Sequence, residues 1–115
     1  MTALENSVIL FTSNGMGKGP EDLQLTLAGK YLSLLLQNGT QPAAICFYTE
    51  GVKLVVDGSP VVEQLQEMEN RGVRLIVCST CLNYFGLTDK MKVGIVGGMA
   101  DILEAQVWAE KVITL

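Results

Sequence analysis

The chain of 115 residues carries 8 Lys and Arg against 12 Asp and Glu, a net charge of −4, and is 49% hydrophobic but only 17% charged. That is the length of one domain around one core, too apolar for a disordered chain, and too acidic for a nucleic-acid binder, which relies on surplus Lys and Arg to displace counterions. Histidine is absent, which excludes a Ser-His or Cys-His pair and a His-ligated metal within the chain.

Met1 to Asn6 shows no basic stretch leading into a long apolar one, so no signal peptide is expected. No apolar run approaches the ~18 residues of a membrane span. A cytoplasmic protein without membrane contact is the expectation. Ser7 to Ser13 (SVILFTS) reads as a buried strand, and Asn14 to Gly19 (NGMGKG) as a glycine loop. Pro20 opens a helix at its first position, with Glu21 and Asp22 where the helix dipole favours acids. This helix runs to about Gln37 and stops at Asn38-Gly39, with Pro42 beyond. Its polar residues Thr26, Lys30, Ser33 and Gln37 occupy one narrow stripe, and Leu23, Leu25, Leu27, Tyr31, Leu32, Leu34, Leu35 and Leu36 cover the rest. A helix lying on one sheet needs only one apolar face, so the surplus points either to deep packing in the same chain or to a subunit interface.

Ala43 to Tyr48 (AAICFY) is a second strand. Thr49 to Asp57 (TEGVKLVVD) reads equally as a short helix or a short strand. Ser59-Pro60 supplies an N-cap and first position for a helix holding Val61, Val62, Leu65 and Met68 and ending at Gly72. Val73 to Cys78 is a third strand. Ser79 or Thr80 caps a short helix with Leu82 and Phe85, stopped by Gly86. Lys92 to Val96 reads as a fourth strand, Met99 to Ala109 as a helix after Gly97-Gly98, and Lys111 to Leu115 as a fifth strand. Strand and helix alternating in this way give a three-layer α/β/α sandwich around a mostly parallel five-stranded sheet, a single domain over 1–115. Ligands in such folds sit at the carboxyl ends of the strands. Three loops lie there: Asn14 to Gly19, Tyr48 to Lys53, and Cys78 to Cys81.

Cys78-Ser79-Thr80-Cys81 carries the strongest chemical signal. A thiol where a strand passes into a helix meets unpaired N–H groups and the positive end of the dipole, both of which favour thiolate. The pair can also close a disulfide. Zinc would need about four ligands, and beyond this pair only Cys46 remains. A thioredoxin-type dithiol usually follows the first strand rather than the third. Simple packing and a nucleophilic or sulfur-carrying cysteine complete the alternatives. Cys46, in mid-strand, reads as core. The glycine loop fits neither nucleotide pattern: Pro20 replaces the third glycine of the dinucleotide fingerprint, and Gly19 the Ser or Thr of a P-loop. Its candidate role, through Asn14, Gly15, Met16, Gly17 and Lys18, is to bind a small ligand or to shape access to the cysteines. Glu50 and Lys53 are the charges of the second loop, and Lys53 reads either as a cation that steadies an anionic sulfur or as a solvated surface lysine. Ser79 and Thr80 complete the candidate binding residues. Tyr84 and Phe85 are expected to pack behind the cysteines.

The run CSTCLNYFGL, Cys78 to Leu87, resembles the cysteine loop of the DsrE/DsrF-like family, in which the matching cysteine ends a strand and a glycine follows eight residues on, as Gly86 does here. LFTSNGMGKGPEDLQLTLAGKYL, FYTEGVKLVVDGSP and VGIVGGMADI extend the likeness over nearly the whole chain. It is most similar to the DsrE-like domain of YedF-type proteins, which are linked by context to selenium metabolism. The resemblance implies a compact α/β domain that assembles with copies of itself and carries sulfur, or selenium, as a persulfide on Cys78. Cys81 has a counterpart only in the YedF-type subgroup. No cofactor is implied. The implied partner is a sulfur donor or acceptor protein, for which the TusA-like domain that usually precedes this one in YedF-type proteins is a model; none lies in this sequence. Any catalysis would be sulfurtransferase-like. Two rivals stand beside this reading: a non-catalytic oligomeric assembly subunit whose surface is the apolar helix, and a nucleotide- or flavin-binding domain using the glycine loop.

Overall fold

The computed structural model describes residues 4–115, so the start of the expected leaderless segment, Met1 to Ala3, lies outside the described residues. Five strands, β1 Ser7–Phe11, β2 Ala44–Phe47, β3 Arg74–Cys78, β4 Ile95–Gly97 and β5 Lys111–Thr114, form one sheet in the order β4-β3-β2-β1-β5. Every pairing is parallel. The helices between them are α1 Glu21–Asn38, α2 Val62–Asn70, α3 Ser79–Phe85 and α4 Met99–Trp108, with 3-10 turns at Thr49–Val55 and Thr88–Lys90. The expected α/β sandwich is what forms, and its sheet is parallel throughout.

The chain steps one way from β1 through β4 and then returns across the sheet to β5. Right-handed crossovers therefore put α1, α2 and α3 on one face and α4 alone on the other. Side chains alternate between the faces. Residues in one register row share a face, so Val8, Ala44 and Arg74 point the same way, and they line a cavity with Glu104, Ala105 and Trp108 of α4. The core is centred on β1, β2 and β3, whose residues are buried almost without break. Phe11 and Phe47 stack there at 5.6 Å with 7° between their planes. Each buried ring is worth about 1.5–3 kcal/mol and the stack about 0.5–1.5 kcal/mol more.

α1 starts after Pro20 and stops where Gly39 turns left-handed at φ 65°. The Gly39 N–H meets the Leu36 carbonyl at 3.3 Å, and that of Thr40 the Leu35 carbonyl at 3.1 Å. Ala28, Leu32 and Leu35 form its buried line, while Leu23, Leu27 and Leu34 face solvent. Deep packing within the chain thus accounts for only part of its apolar surface. The single helix on the other face leaves a larger exposure: Ile95, Met99, Leu103 and Val112, with Val107 at 70% and Trp108 at 80%.

One element resolves an open expectation and two depart from theirs. Thr49–Val55, open between a short helix and a short strand, is a short helix of the 3-10 kind, with Gly51, Val52, Leu54 and Val55 buried. α2 begins two residues late, because the Ser59 hydroxyl accepts the Val61 N–H in a turn ahead of it, at 3.3 Å. β4 begins at Ile95, after Gly94 passes β3 in a left-handed conformation so close that a Cβ would crowd Val77 and Leu75.

Gly51 lies directly on the end of β1, where a Cβ would collide with the carbonyl oxygen of Phe11. Gly51→Ala should lose at least the ~1–3 kcal/mol of an overpacked core. Gly19→Ala, where a Cβ meets only the Leu23 side chain at 3.7 Å, should stay within about 0.5 kcal/mol of wild type. Denaturant midpoints of the two variants measure the contrast.

Candidate functional site

β3 passes into α3 without a loop. Cys78 is both the last strand residue and the helix N-cap. It keeps its place in the sheet opposite Gly97, and this holds it in the core at 1% exposure. Cys81, the third residue of α3, is half-buried. The sequence expectation of a reachable sulfur at Cys78 is therefore met one helical turn later, at Cys81. Cys81 borders a cavity of about 240 Å³ lined by Thr49, Thr80, Tyr84 and Phe85.

The backbone N–H of Thr49 donates to the Cys81 sulfur at 3.0 Å. Burial raises the pKa of Cys81, and the neighbouring Cys78 thiol raises it further; the Thr49 N–H pulls the other way without prevailing. At Cys81, therefore, the acidified thiol expected at a helix start is not what results. α3 has only seven residues, and loss of water outweighs its short dipole. Cys46 is packed inside β2, and burial pushes its thiol up to about 11 against the opposing charge of Arg74. All three cysteines are free thiols.

Tyr84, expected behind the cysteines, stands in front of them at 83% exposure. Its ring meets that of Phe85 edge-on at 5.2 Å. Lys53 reaches over Phe85, 4.8 Å from the ring centroid, and pairs with Glu50 at 2.9 Å. Its charge is directed to those two groups, and with Phe85 it braces one wall of the cavity. Phe85 also borders a second cavity of about 510 Å³, where Asn14, Glu21, Lys53 and Asp57 meet. Of the glycine loop, Asn14 alone lines it.

The rest of the loop closes on itself. The Ser13 hydroxyl lies within bonding distance of the Gly15 and Gly17 carbonyls, and the Gln24 amide donates to Gly17 at 2.6 Å. The Met16 N–H meets the Gln24 carbonyl at 2.9 Å, and Asn14 donates to Glu21 at 3.1 Å. Gly15 is buried against Gln24, Met16 packs on the core, and Gly17 and Lys18 face solvent. Gly15, Met16, Gly17 and Lys18 border neither cavity. Two carboxylates near one lysine also make the larger cavity a poor phosphate site. Of the remaining predicted residues, Thr80 lines the cysteine cavity and Ser79 is the first, half-buried residue of α3. No group of three or more His, Cys, Asp or Glu comes together among the described residues.

The sequence reading missed Thr49 and misplaced Tyr84. Helical spacing was the available signal for Tyr84, since residues three and four on from Cys81 share its side of α3. Nothing in composition or periodicity points to Thr49.

The chain belongs to the DsrE/DsrF-like family. That family's profile matches residues 7–115. Its membership supports a sulfur-related role for the protein. No curated protein matches the sequence. Among solved structures the fold is similar to ychN from E. coli (TM-score 0.72, 18% identity, covering 96% of this chain and 99% of that one). It is also similar to MTH1491 from Methanobacterium thermoautotrophicum (0.69, 19%, 96% and 99%). A third likeness is to BT1422 from Bacteroides thetaiotaomicron (0.62, 17%, 96% and 95%). At these identities the likeness concerns the fold. No helix among the described residues is long and apolar enough to cross a membrane.

The raised Cys81 pKa fixes a sign. At neutral pH its thiolate fraction lies below that of a free cysteine, and it grows as pH rises. Iodoacetamide labelling of the folded protein, located by peptide mapping, should reach Cys81 first. Its rate should be slower than that of a small free thiol at pH 7 and climb through the alkaline range, with Cys46 and Cys78 labelled only after unfolding.

Proposed function

We propose that this DsrE-like domain carries sulfane sulfur as a persulfide on the Cys78–Cys81 pair, with Cys81 as the sulfur that meets donor and acceptor. The family resemblance alone would assign the load to Cys78. The observation that carries the reading is the contrast in access: Cys81 borders an apolar cavity, while Cys78 lies buried at 1% exposure.

The chemistry is a pair of displacements. The Cys81 thiolate attacks the terminal sulfur of a donor R–S–SH, forming Cys81–S–SH and releasing R–S⁻. An acceptor thiolate then attacks that same terminal sulfur, and the electron pair of the broken S–S bond returns to Cys81. Cys78 offers an exit: its thiolate can attack the Cys81 sulfur, leaving a Cys78–Cys81 disulfide and HS⁻. The cavity, about 240 Å³, falls short of the ~300–1,000 Å³ usual for cofactor-sized ligands. It suits a cysteine persulfide side chain offered by a partner protein of the TusA-like kind, or a short polysulfide. The YedF-type likeness of CSTCLNYFGL makes selenium the second chalcogen for which the same displacement serves.

Sodium polysulfide, followed by alkylation and intact-mass measurement, tests this. Wild type should gain one sulfur atom, Cys81→Ser should gain none, and Cys78→Ser should load and release less sulfide. No gain by wild type overturns the carrier reading. Loading that survives Cys81→Ser but not Cys78→Ser moves the load to Cys78.

A second reading rests on α4. Met99, Leu103, Val107 and Trp108 form an exposed apolar row beside the sheet edge at Ile95, larger than a monomer ordinarily leaves open. We propose that a second copy of the chain covers it. Arg74 and Glu104 rim the adjoining cavity, so a two-fold contact would set the cation of each copy towards the anion of the other. Sedimentation should show more than one chain at micromolar concentration and a single chain for Leu103→Glu. A monomeric wild type overturns it.

A further inference from the structure

Thr49 is the one non-glycine residue among those described with a positive φ, 49°. That region suits glycine and, less well, asparagine, and a β-branched residue is found there only when its surroundings force it. Three bonds do so here. The Tyr48 N–H is tied to the Phe11 carbonyl at 3.1 Å, which anchors the chain leaving β2 to the end of β1. The Gly51 N–H returns to the Tyr48 carbonyl at 3.0 Å and closes a turn around Thr49. The Thr49 hydroxyl makes a short bond to the Thr12 carbonyl, with the Tyr48 carbonyl 2.6 Å away. The consequence lies on the other side of the residue: its N–H leaves the sheet and meets the Cys81 sulfur at 3.0 Å.

We propose that Thr49 is a positioning residue for the sulfur chemistry: its left-handed backbone, locked by its hydroxyl to the Thr12 carbonyl, aims one N–H at Cys81 and steadies negative charge on that sulfur. The charge is present at two moments. Before loading, Cys81 must be thiolate to attack. During unloading, the breaking S–S bond returns its electron pair to Cys81, and a fixed donor there makes this sulfur the better leaving group. Glycine would adopt the same backbone without strain but would lack the hydroxyl that fixes it. That accounts for threonine at a position where its backbone preference is poor.

The inference rests on Cys81 as the working sulfur, but its test needs no persulfide. The pH profile of Cys81 alkylation should report the N–H directly. Thr49→Val loses the hydroxyl lock and cannot rest in the left-handed region, so the N–H should swing away. The midpoint should then move to higher pH and reactivity at neutral pH should fall about threefold to tenfold, the effect of one lost hydrogen bond. Thr49→Asn, which accepts that backbone and keeps a polar side chain beside the Thr12 carbonyl, should keep a midpoint near wild type, and Thr49→Gly, which accepts the backbone but loses the lock, should fall between wild type and Thr49→Val. If Thr49→Val does not fold, Thr49→Ala against Thr49→Ser makes the same comparison. A folded Thr49→Val or Thr49→Ala with the wild-type midpoint overturns the proposal. So does a Thr49→Asn and Thr49→Gly pair displaced as far as Thr49→Val. A wild type that shows the shift series yet gains no sulfur from polysulfide overturns the carrier reading and leaves this one standing.

Discussion

The carbonyl of Phe11 is the fixed point on which the site is built. It accepts the Tyr48 N–H at 3.1 Å, and Gly51 lies against it with no room for a side chain. Below it the Phe11 and Phe47 rings stack, both fully buried. The chain leaving β2 therefore cannot run outward. It is bent over the end of β1 into the 3-10 turn, and this bend carries Thr49 across to α3. Remove the contact and the turn has no reason to sit beside Cys81. A packing constraint in the aromatic core thus decides which polar group faces the sulfur.

The two cysteines divide their roles through ordinary geometry. An N-cap residue at the end of an interior strand still belongs to the sheet, and its side chain shares the sheet's burial. Two residues into the helix the chain has turned away, and the side chain emerges among Tyr84 and Phe85. The two thiols stay neighbours across that turn. At Cys81 burial and the neighbouring Cys78 raise the cost of ionisation, so that sulfur rests as a thiol rather than a standing thiolate. Such a site favours a sulfur that ionises when a partner covers the cavity and brings its own charges, and one that stays quiet towards stray oxidants otherwise. Lys53, paired with Glu50 and seated over Phe85, contributes by stiffening the wall.

Much of this was legible in the sequence, and the rest was hidden for identifiable reasons. SVILF, AICF and RLIVC are short β-branched runs bounded by turn residues, and the glycines at 39 and 86 mark helix ends that the left-handed caps reproduce. TEGVKLV was ambiguous because its burial comes from lying on β1, a tertiary contact with no period of its own. KVGIV slipped by three residues because Gly94 reads as strand interior until its close passage by Val77 and Leu75 is known. The cysteine pair was found at once, but which sulfur is reachable depends on where strand yields to helix, a boundary that sequence places only to within a residue or two. The glycine loop drew attention through its composition, yet its glycines serve a turn packed on Gln24. Thr49 was invisible for a different reason: local preference argues against its backbone, and only the Phe11, Thr12 and Cys81 contacts together explain it.

Chemistry and apolar surface are also kept apart. The cysteine cavity lies at the carboxyl end of the strands, between the turn after β2 and α3. The exposed row of α4 ends instead at Trp108, beside the cavity formed by Asn6, Ser7 and Ala43 at the amino ends of the strands. A copy seated on the far end of α4 would leave Tyr84 and Cys81 open, whereas one seated near Met99, which follows β4 directly, would approach the sulfur. Tyr84 bears on the same point. An exposed ring beside an apolar cavity is a natural anchor for a partner, and its closure over Cys81 would exclude water while the Thr49 N–H remains. Within so dry a pocket one backbone donor is worth more than it is in the open site. On the proposed carrier reading, reactivity would be governed by what docks on Tyr84 as much as by the sulfur itself.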